Sequence, residues 1–373
     1  MASIRDGGRA VGSKDVWVLK SSAAEADQGL AEVRPMTSVR STPSTVPRIL
    51  EDMFWVGRYA ERAEDMLRLV LAAHVLAEDY RTRPRTTGGM SLEIMLGVLA
   101  SLAGRSSDDL GQEFRSVLLD ADREGSAAQS LSALRDALAG VRDQLSLDVW
   151  RVFGITARAG SALRASPHSH AIGESAGRML AGVLSLQGVT ASMIRDPGWH
   201  MIGLGRHLER ALQLCRLLRV VTVRRGLEVD REVLSAVLAS SESAVTHRRR
   251  YRDYVRPAGV LDLLLMDGDN PRSLTFSLTE AARHLAAQQA STGSTRPERL
   301  LDELIAEVAA TDSATLVAIG GADRPNLTGF LDSVEAQVSR ITEAAGALHF
   351  ATGPRPRPFG SLQTRAVVEE EVS

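Results

Sequence analysis

The sequence predicts an all-α fold, a large multi-helix bundle built from two pseudo-symmetric halves. Three observations carry that expectation. Apolar residues recur at helical spacing through most of the chain, and no segment shows sustained period-two alternation. Hydrophobic residues make up 44% of the chain but aromatics only 4%, so the core is built from Leu, Val, Ala and Ile, which suit helix packing. One charged motif, Gly-Arg-x-x-Glu-Arg, occurs twice inside helical patterns.

In chain order, residues 1–45 read as a tail or linker rich in Ser, Thr, Pro and Gly. Within it Val16-Trp17-Val18-Leu19 is a short β-like island without a partner strand. The helical body covers 46–352, with repeat halves of about 46–195 and 196–352. Pro47 suits the first turn of a long helix reaching about Tyr80, because a missing N–H costs nothing there. Further helices are expected at about 90–104, 107–120, 127–144, 146–164, 170–195 and 199–224. Others follow at about 229–250, 257–266, 273–290, 298–311 and 324–348. Thr87-Gly88-Gly89, Asp196-Pro197-Gly198, Asp269-Asn270-Pro271 and Gly320-Gly321 punctuate the pattern. Residues 353–373, with three prolines and a terminal acidic run, read as a C-terminal tail.

The two motif copies align without a gap over 57–69 and 205–217. Gly57 matches Gly205, Arg58 matches Arg206, and Glu61 and Arg62 match Glu209 and Arg210. Arg68 and Arg216 also match. A weaker echo pairs Ser126–Leu131 with Ser273–Leu278. The spacing i, i+3, i+4 places Arg58, Glu61 and Arg62 on one helical face, and Arg206, Glu209 and Arg210 likewise. A helical Gly costs about 1 kcal/mol relative to Ala, so two of them point to close approach by another helix or a ligand. The apolar flanks Phe54, Trp55, Val56, Met66 and Leu67 require that some of these charges be buried.

Buried charges need partners, and three readings follow. The network fixes helix register; or the arginines Arg58, Arg62, Arg68, Arg206, Arg210 and Arg216 form a pocket for a carboxylate or phosphate. In the third, Glu61 or Glu209 is a catalytic acid or base, although adjacent guanidiniums lower a carboxyl pKa and weaken it as a base. The polar loop with Asp267, Asn270 and Arg272 is a further substrate-binding candidate, as is Tyr251 within the basic, aromatic-interleaved run Thr246–Tyr254. The bland reading of that loop makes Asp269 or Asn270 a helix N-cap, with Pro271 in the first turn.

Composition excludes other classes. The net charge of -2 gives no general attraction to nucleic acid, and one short basic patch does not change that expectation. Lysine occurs only at Lys14 and Lys20, which leaves the helical body without a P-loop or Schiff-base lysine. The single cysteine, Cys215, lies among leucines and reads as a buried thiol, and no intrachain disulfide can form. No metal signature is present: His168 and His170 lie in a loop segment and there is no His-Glu-x-x-His. No metal or cofactor is therefore expected. Without an apolar signal core or a long uncharged stretch, the expectation is a cytoplasmic protein that does not enter a membrane.

The stretch Phe54-Trp55-Val56-Gly57-Arg58-Tyr59-Ala60-Glu61-Arg62-Ala63-Glu64 resembles the opening of the bacterial alpha-E family, helical domains with a Glu-Arg motif. Leu264-Leu265-Met266-Asp267-Gly268-Asp269-Asn270-Pro271-Arg272-Ser273 is similar to a second signature, and Ser146-Leu147-Asp148-Val149-Trp150-Arg151 to a third. The likeness extends over about 46–350. It departs at Ala133-Leu134-Arg135-Asp136-Ala137-Leu138, where the family has an Ala-Arg-x-Asn-Ala-Arg-like segment.

The resemblance implies a gene or domain neighbour, a circularly permuted ATP-grasp ligase, fused or separate, and a transglutaminase-like protein as a further partner. Ser13–Leu19 looks like the last strand of such an ATP-grasp domain. The implied function is an accessory or substrate-presenting domain for amide-bond formation in peptide synthesis or modification. The alternatives are a stand-alone enzyme acting on the ligase product through a Glu/Arg site, and a structural or oligomerisation module, homo-oligomers included.

Overall fold

The computed structural model describes residues 3–6, 9–13, 22, 46–252, 254–288 and 296–350. The chain divides into two compact units, Met1–Ser44 and Thr45–Ser373. In the first, strands β1 (Ser3–Asp6) and β2 (Arg9–Ser13) pair antiparallel with an irregularity between Ser3 and Arg5. The expected island at Val16–Leu19 and the tail 353–373 lie outside the described residues.

Among its described residues the second unit contains only helices and two isolated β-bridges, at Val223–Asp323 and Gly320–Asp323. The helices are α1 (Pro47–Tyr80), α2 (Thr87–Ala103), α3 (Leu110–Leu119), α4 (Ala127–Gly140) and α5 (Leu147–Ala165). Next come α6 (His170–Ala191), α7 (Pro197–Leu218), α8 (Leu227–Ser240), α9 (Ala244–Tyr251) and α10 (Pro257–Leu261). The last four are α11 (Leu274–Ala286), α12 (Pro297–Ala310), α13 (Ser313–Leu316) and α14 (Pro325–His349). The α10 helix runs on into a π-helical turn, Asp262–Met266.

Local chemistry sets the starts. Proline occupies the first turn of α1, α7, α10, α12 and α14. Thr86, Asp109, Ser126, Asp196, Ser273 and Asp312 accept backbone N–H bonds as N-caps of α2, α3, α4, α7, α11 and α13. The α11 cap is thus Ser273, and the expectation of Asp269 or Asn270 is corrected. Asn270 is instead buried: its Nδ2 donates to the Leu263 carbonyl at 3.0 Å and its Oδ1 accepts from the Arg272 N–H. The single helix expected over 229–250 is two. The hydroxyl of Ser241 bonds the Val237 carbonyl, that of Ser243 bonds the Ser241 carbonyl, and Glu242 adopts φ 52. Short hydroxylated side chains here compete with the helical backbone pattern.

The two long central helices α1 and α7 cross at the motif and pack closely together. A Cβ on Gly57 would overlap the Ile202 carbonyl oxygen, and one on Gly205 would overlap the Phe54 carbonyl oxygen. The glycines therefore serve the approach of helix on helix. On the flanks α4 packs on α1 and α11 packs on α7, while α5 pairs with α6 and α12 with α14. The starts of α4 and α11 match in detail. Ser126 Oγ donates to the Asp120 carbonyl and accepts from Gln129 N; Ser273 Oγ donates to the Asp267 carbonyl and accepts from Phe276 N. In each case the hydroxyl four residues on, Ser130 or Ser277, returns to the cap carbonyl. The core is aliphatic, with Phe54, Phe114, Leu67, Met95 and Met179 among its largest fully buried side chains. No described helix is long and apolar enough to cross a membrane.

Candidate functional site at the crossing of α1 and α7

The two motif faces meet, and they pair crosswise. Arg58 Nε donates to Glu209 Oε2 at 2.6 Å, and Arg62 Nε to Glu209 Oε1 at 2.7 Å. Reciprocally, Arg210 Nη2 donates to Glu61 Oε2 at 2.8 Å and its Nε to Oε1. Glu61 and Glu209 are fully buried. Arginines at i−3 and i+1 on the same helix are within reach of each glutamate, yet each carboxylate bonds guanidiniums of the facing helix.

The network extends beyond the motif. Glu64, also fully buried, accepts from Arg68, Arg272 and Gln187 Nε2. Arg68 reaches on to Glu242 at the α8–α9 break. Arg272 stands 3.5 Å from Glu61 Oε1, and Arg210 Nη1 donates to the Pro271 carbonyl at 2.9 Å. The loop before α11 is thereby tied to the crossing through Arg272 and Pro271. Asp267 and Tyr251 are engaged elsewhere in that region: Arg250 pairs with Asp267, and Tyr251 Oη donates to Asp262 Oδ2 at 2.6 Å. Burial, followed by that bond, pushes the Tyr251 phenol up to about 12.

Burial alone would raise a carboxyl pKa, but guanidiniums reverse it here. Arg58 and Arg62 hold Glu209 down to about 2, and Arg272 and Arg68 hold Glu64 to about 2. Both are poor proton acceptors near neutrality. Asp65 goes the other way. Burial first, then the charges of Glu61 and Glu64, push its carboxyl well above the usual range. Asp65 makes no hydrogen bond or ion pair among the described residues, and with Arg210, Arg272, Gln213 and Ser241 it lines a small cavity of about 40 Å³. Its counterpart in α7, Gln213, donates from Nε2 to Glu209 at 2.7 Å.

The two motif copies have diverged around this core. Arg206, counterpart of Arg58, has a deeply buried Nε without a partner and only a 3.4 Å bond from Nη2 to Thr190 Oγ1. Arg216, counterpart of the buried Arg68, is exposed and makes no ion pair among the described residues. It lies with Arg62, Tyr59, Gln129, Gln213 and Glu124 on the wall of an open cleft of about 760 Å³. Arg62 remains 26% exposed while bonded to Glu209, and its guanidinium stands 5.7 Å from the Tyr59 ring centre.

On the far face of α7, His207 meets His284 and Glu280 of α11. No motif in the sequence marks a metal site at these three residues, and none was expected. The i, i+4 spacing of Glu280 and His284 was readable as one helical face, but His207 joins them only through the packing of α11 on α7. Cys215 is fully buried and its thiol is pushed up by burial, as the leucine neighbours lead one to expect.

Residues 46–350 match the model of a family named Alpha-E and described as a predicted alpha-helical domain with a conserved ER motif. Uncharacterized proteins of Mycobacterium bovis and Mycobacterium tuberculosis are 30% identical over 386 residues, covering 96% of this chain and 44% of their own length. The chain thus spans less than half of the curated relatives it matches. No solved structure matches it.

Proposed function

Since this chain belongs to the Alpha-E family, we propose that it is a helical accessory domain that presents a carboxylate-bearing substrate to an ATP-grasp amide ligase in the cytoplasm, in peptide synthesis or modification. The single observation that carries the reading is Arg216, exposed and without an ion-pair partner among the described residues, beside Arg62 in the 760 Å³ cleft. A guanidinium held near amide and phenol groups suits a peptide carboxylate or a phosphate. Glu124 on the same wall favours a ligand that also carries an N–H donor or an amine. The length of the relatives, more than twice the matched region, is in keeping with a further domain in the same polypeptide. We read the halves 46–195 and 196–352 as diverged copies, supported by the crosswise ion pairs and the matching serine caps of α4 and α11.

The test is reconstitution. The full chain is added to a circularly permuted ATP-grasp ligase of the kind proposed as its partner, and ADP release is followed with acidic peptides as substrate. Stimulation that is lost in Arg216→Ala, at unchanged melting temperature, supports the reading. Equal stimulation by wild type and Arg216→Ala, or none by either, overturns it.

One observation favours a second reading, catalysis by the chain itself. Asp65 is a carboxyl whose pKa is raised by burial and by Glu61 and Glu64, beside Arg210 and Arg272 in a cavity, and a raised pKa is what a general acid needs. Turnover of the ligase product by purified chain alone, abolished in Asp65→Asn, would establish it in place of the accessory role. The fully paired Glu209 is unsuited to that task.

A further inference from the structure

We propose that His207, His284 and Glu280 form a binding site for a divalent transition-metal ion of the zinc class, between α7 and α11. Each residue offers one ligand atom, and these atoms lie within 4.8 Å of one another. Imidazole nitrogens and a carboxylate oxygen are the donor set that zinc takes, with an open position left for water or a ligand. Two ligands on one ion at about 2.1 Å each are about 3.4 Å apart in tetrahedral geometry. Small side-chain rotations of Glu280 and His284 close the remaining gap.

Independent observations point to a cation here. His207 Nδ1 is buried and has no hydrogen-bond partner, a costly state for a ring nitrogen that a metal would relieve. A cationic group already bridges the other two ligands: Arg283 Nη2 lies 2.7 Å from Glu280 Oε2 and 3.2 Å from His284 Nε2. A guanidinium can only donate, so His284 Nε2 presents its lone pair and carries its proton on Nδ1. That Nδ1 is 3.2 Å from His200 Nδ1, which orients the ring from behind, as the outer partners of metal-bound histidines do. Gly203 gives the room: a Cβ there would overlap the His284 ring. The histidines of the site are buried while Glu280 faces outward with a quarter of its side chain exposed, so an ion enters past Glu280 as the exposed Arg283 swings away.

The first half lacks an equivalent. The aligned positions are Tyr59 for His207 and, by the offset that relates Ser126 to Ser273, Ala133 and Ala137 for Glu280 and His284. The site belongs to the diverged second half alone, independent of the Arg216 cleft.

Co2+ is titrated into the full chain after chelator treatment and dialysis, and its visible absorption is followed, with Zn2+ as competitor. The expected result is one equivalent of Co2+ with the intense bands of a four-coordinate site, displaced by Zn2+. His207→Ala and His284→Ala should each weaken binding at least tenfold with unchanged helical circular dichroism, and Glu280→Gln by less. His168→Ala/His170→Ala, at the start of α6 and away from this site, should leave affinity unchanged. Arg283→Ala removes the competing cation from an exposed position and should tighten binding severalfold, a readout that does not depend on the buried variants folding. Failure of wild type to bind Co2+ or Zn2+ at millimolar ion overturns the proposal, as does equal binding by His207→Ala/His284→Ala or loss of binding in His168→Ala/His170→Ala.

Discussion

Gly57 and Gly205 each stand against the backbone of the opposite helix, Gly57 over the carbonyl of Ile202 and Gly205 over that of Phe54. The obstacle is main chain, which does not rotate away. An added methyl would gain about 1 kcal/mol of helix propensity but force α1 and α7 apart. Separation would also lengthen the charged pairs Arg58–Glu209 and Arg210–Glu61 that cross the same contact. Gly57→Ala and Gly205→Ala should each destabilise the fold by a net 1–3 kcal/mol or roughly so, read as a lower urea midpoint. Gly97→Ala, where a Cβ meets nothing within 4 Å, is the control and should be neutral or slightly stabilising.

Glu209 makes stability depend on acid. Its folded pKa is depressed from 4.5 to about 2. A depressed carboxyl contributes stability that is full above its unfolded value and is lost as pH falls through the folded one. The contribution is on the order of 3 kcal/mol, from about 1.4 kcal/mol for each pH unit. Between pH 5 and 2 the wild type should therefore lose stability steeply, with Glu64 adding to the loss. Glu209→Gln leaves Arg58 and Arg62 without their carboxylate and should cost about 3–5 kcal/mol at pH 7. Its urea midpoint should also fall less than that of wild type on acidification.

The thiol of Cys215 is enclosed by α7 and its neighbours and raised by burial. Thiolate, the reactive form, is scarce in the folded chain. Ellman's reagent at pH 8 should leave the native protein unmodified for hours and react with one thiol on unfolding in urea. Fast native reaction would show that the leucine shell opens.

Much of this architecture was readable in the residues. Gly-Arg-x-x-Glu-Arg at helical spacing implied one charged face per helix, and its apolar flanks implied burial. The partners were less legible, because Arg272, Gln187 and Glu242 come from distant segments whose approach only packing determines. The break at Ser241–Ser243 was hidden because its flanks, Val233 to Val237 and Val245 onward, continue a helical pattern. The α11 cap was misplaced because Asp269, Asn270 and Ser273 are all good caps, and the buried bond of Asn270 to Leu263 decides among them. The His207–His284–Glu280 group illustrates the same limit: two of its members share a helix face, and the third is supplied by a neighbouring helix.

Asp65 and Gln213 occupy matching places in the two motif copies, four residues beyond Glu61 and Glu209. Gln213 is neutral and donates to its glutamate. Asp65 lies near two carboxylates, and burial with those charges keeps it protonated beyond the ordinary carboxyl range. The sign is opposite to that of Glu209. A carboxyl whose folded pKa is raised contributes stability that is full below its unfolded value, near 3.8, and lost as pH rises through the folded value. Asp65→Asn supplies a permanently neutral side chain of the same shape, so it escapes that loss. The variant should match wild type near pH 4 and exceed it in stability at pH 8. Urea midpoints at the two pH values read the difference directly. Were the gap between variant and wild type the same at both, Asp65 would ionise in the ordinary range, and with it would fall the reading of Asp65 as an acid held ready beside Arg210 and Arg272.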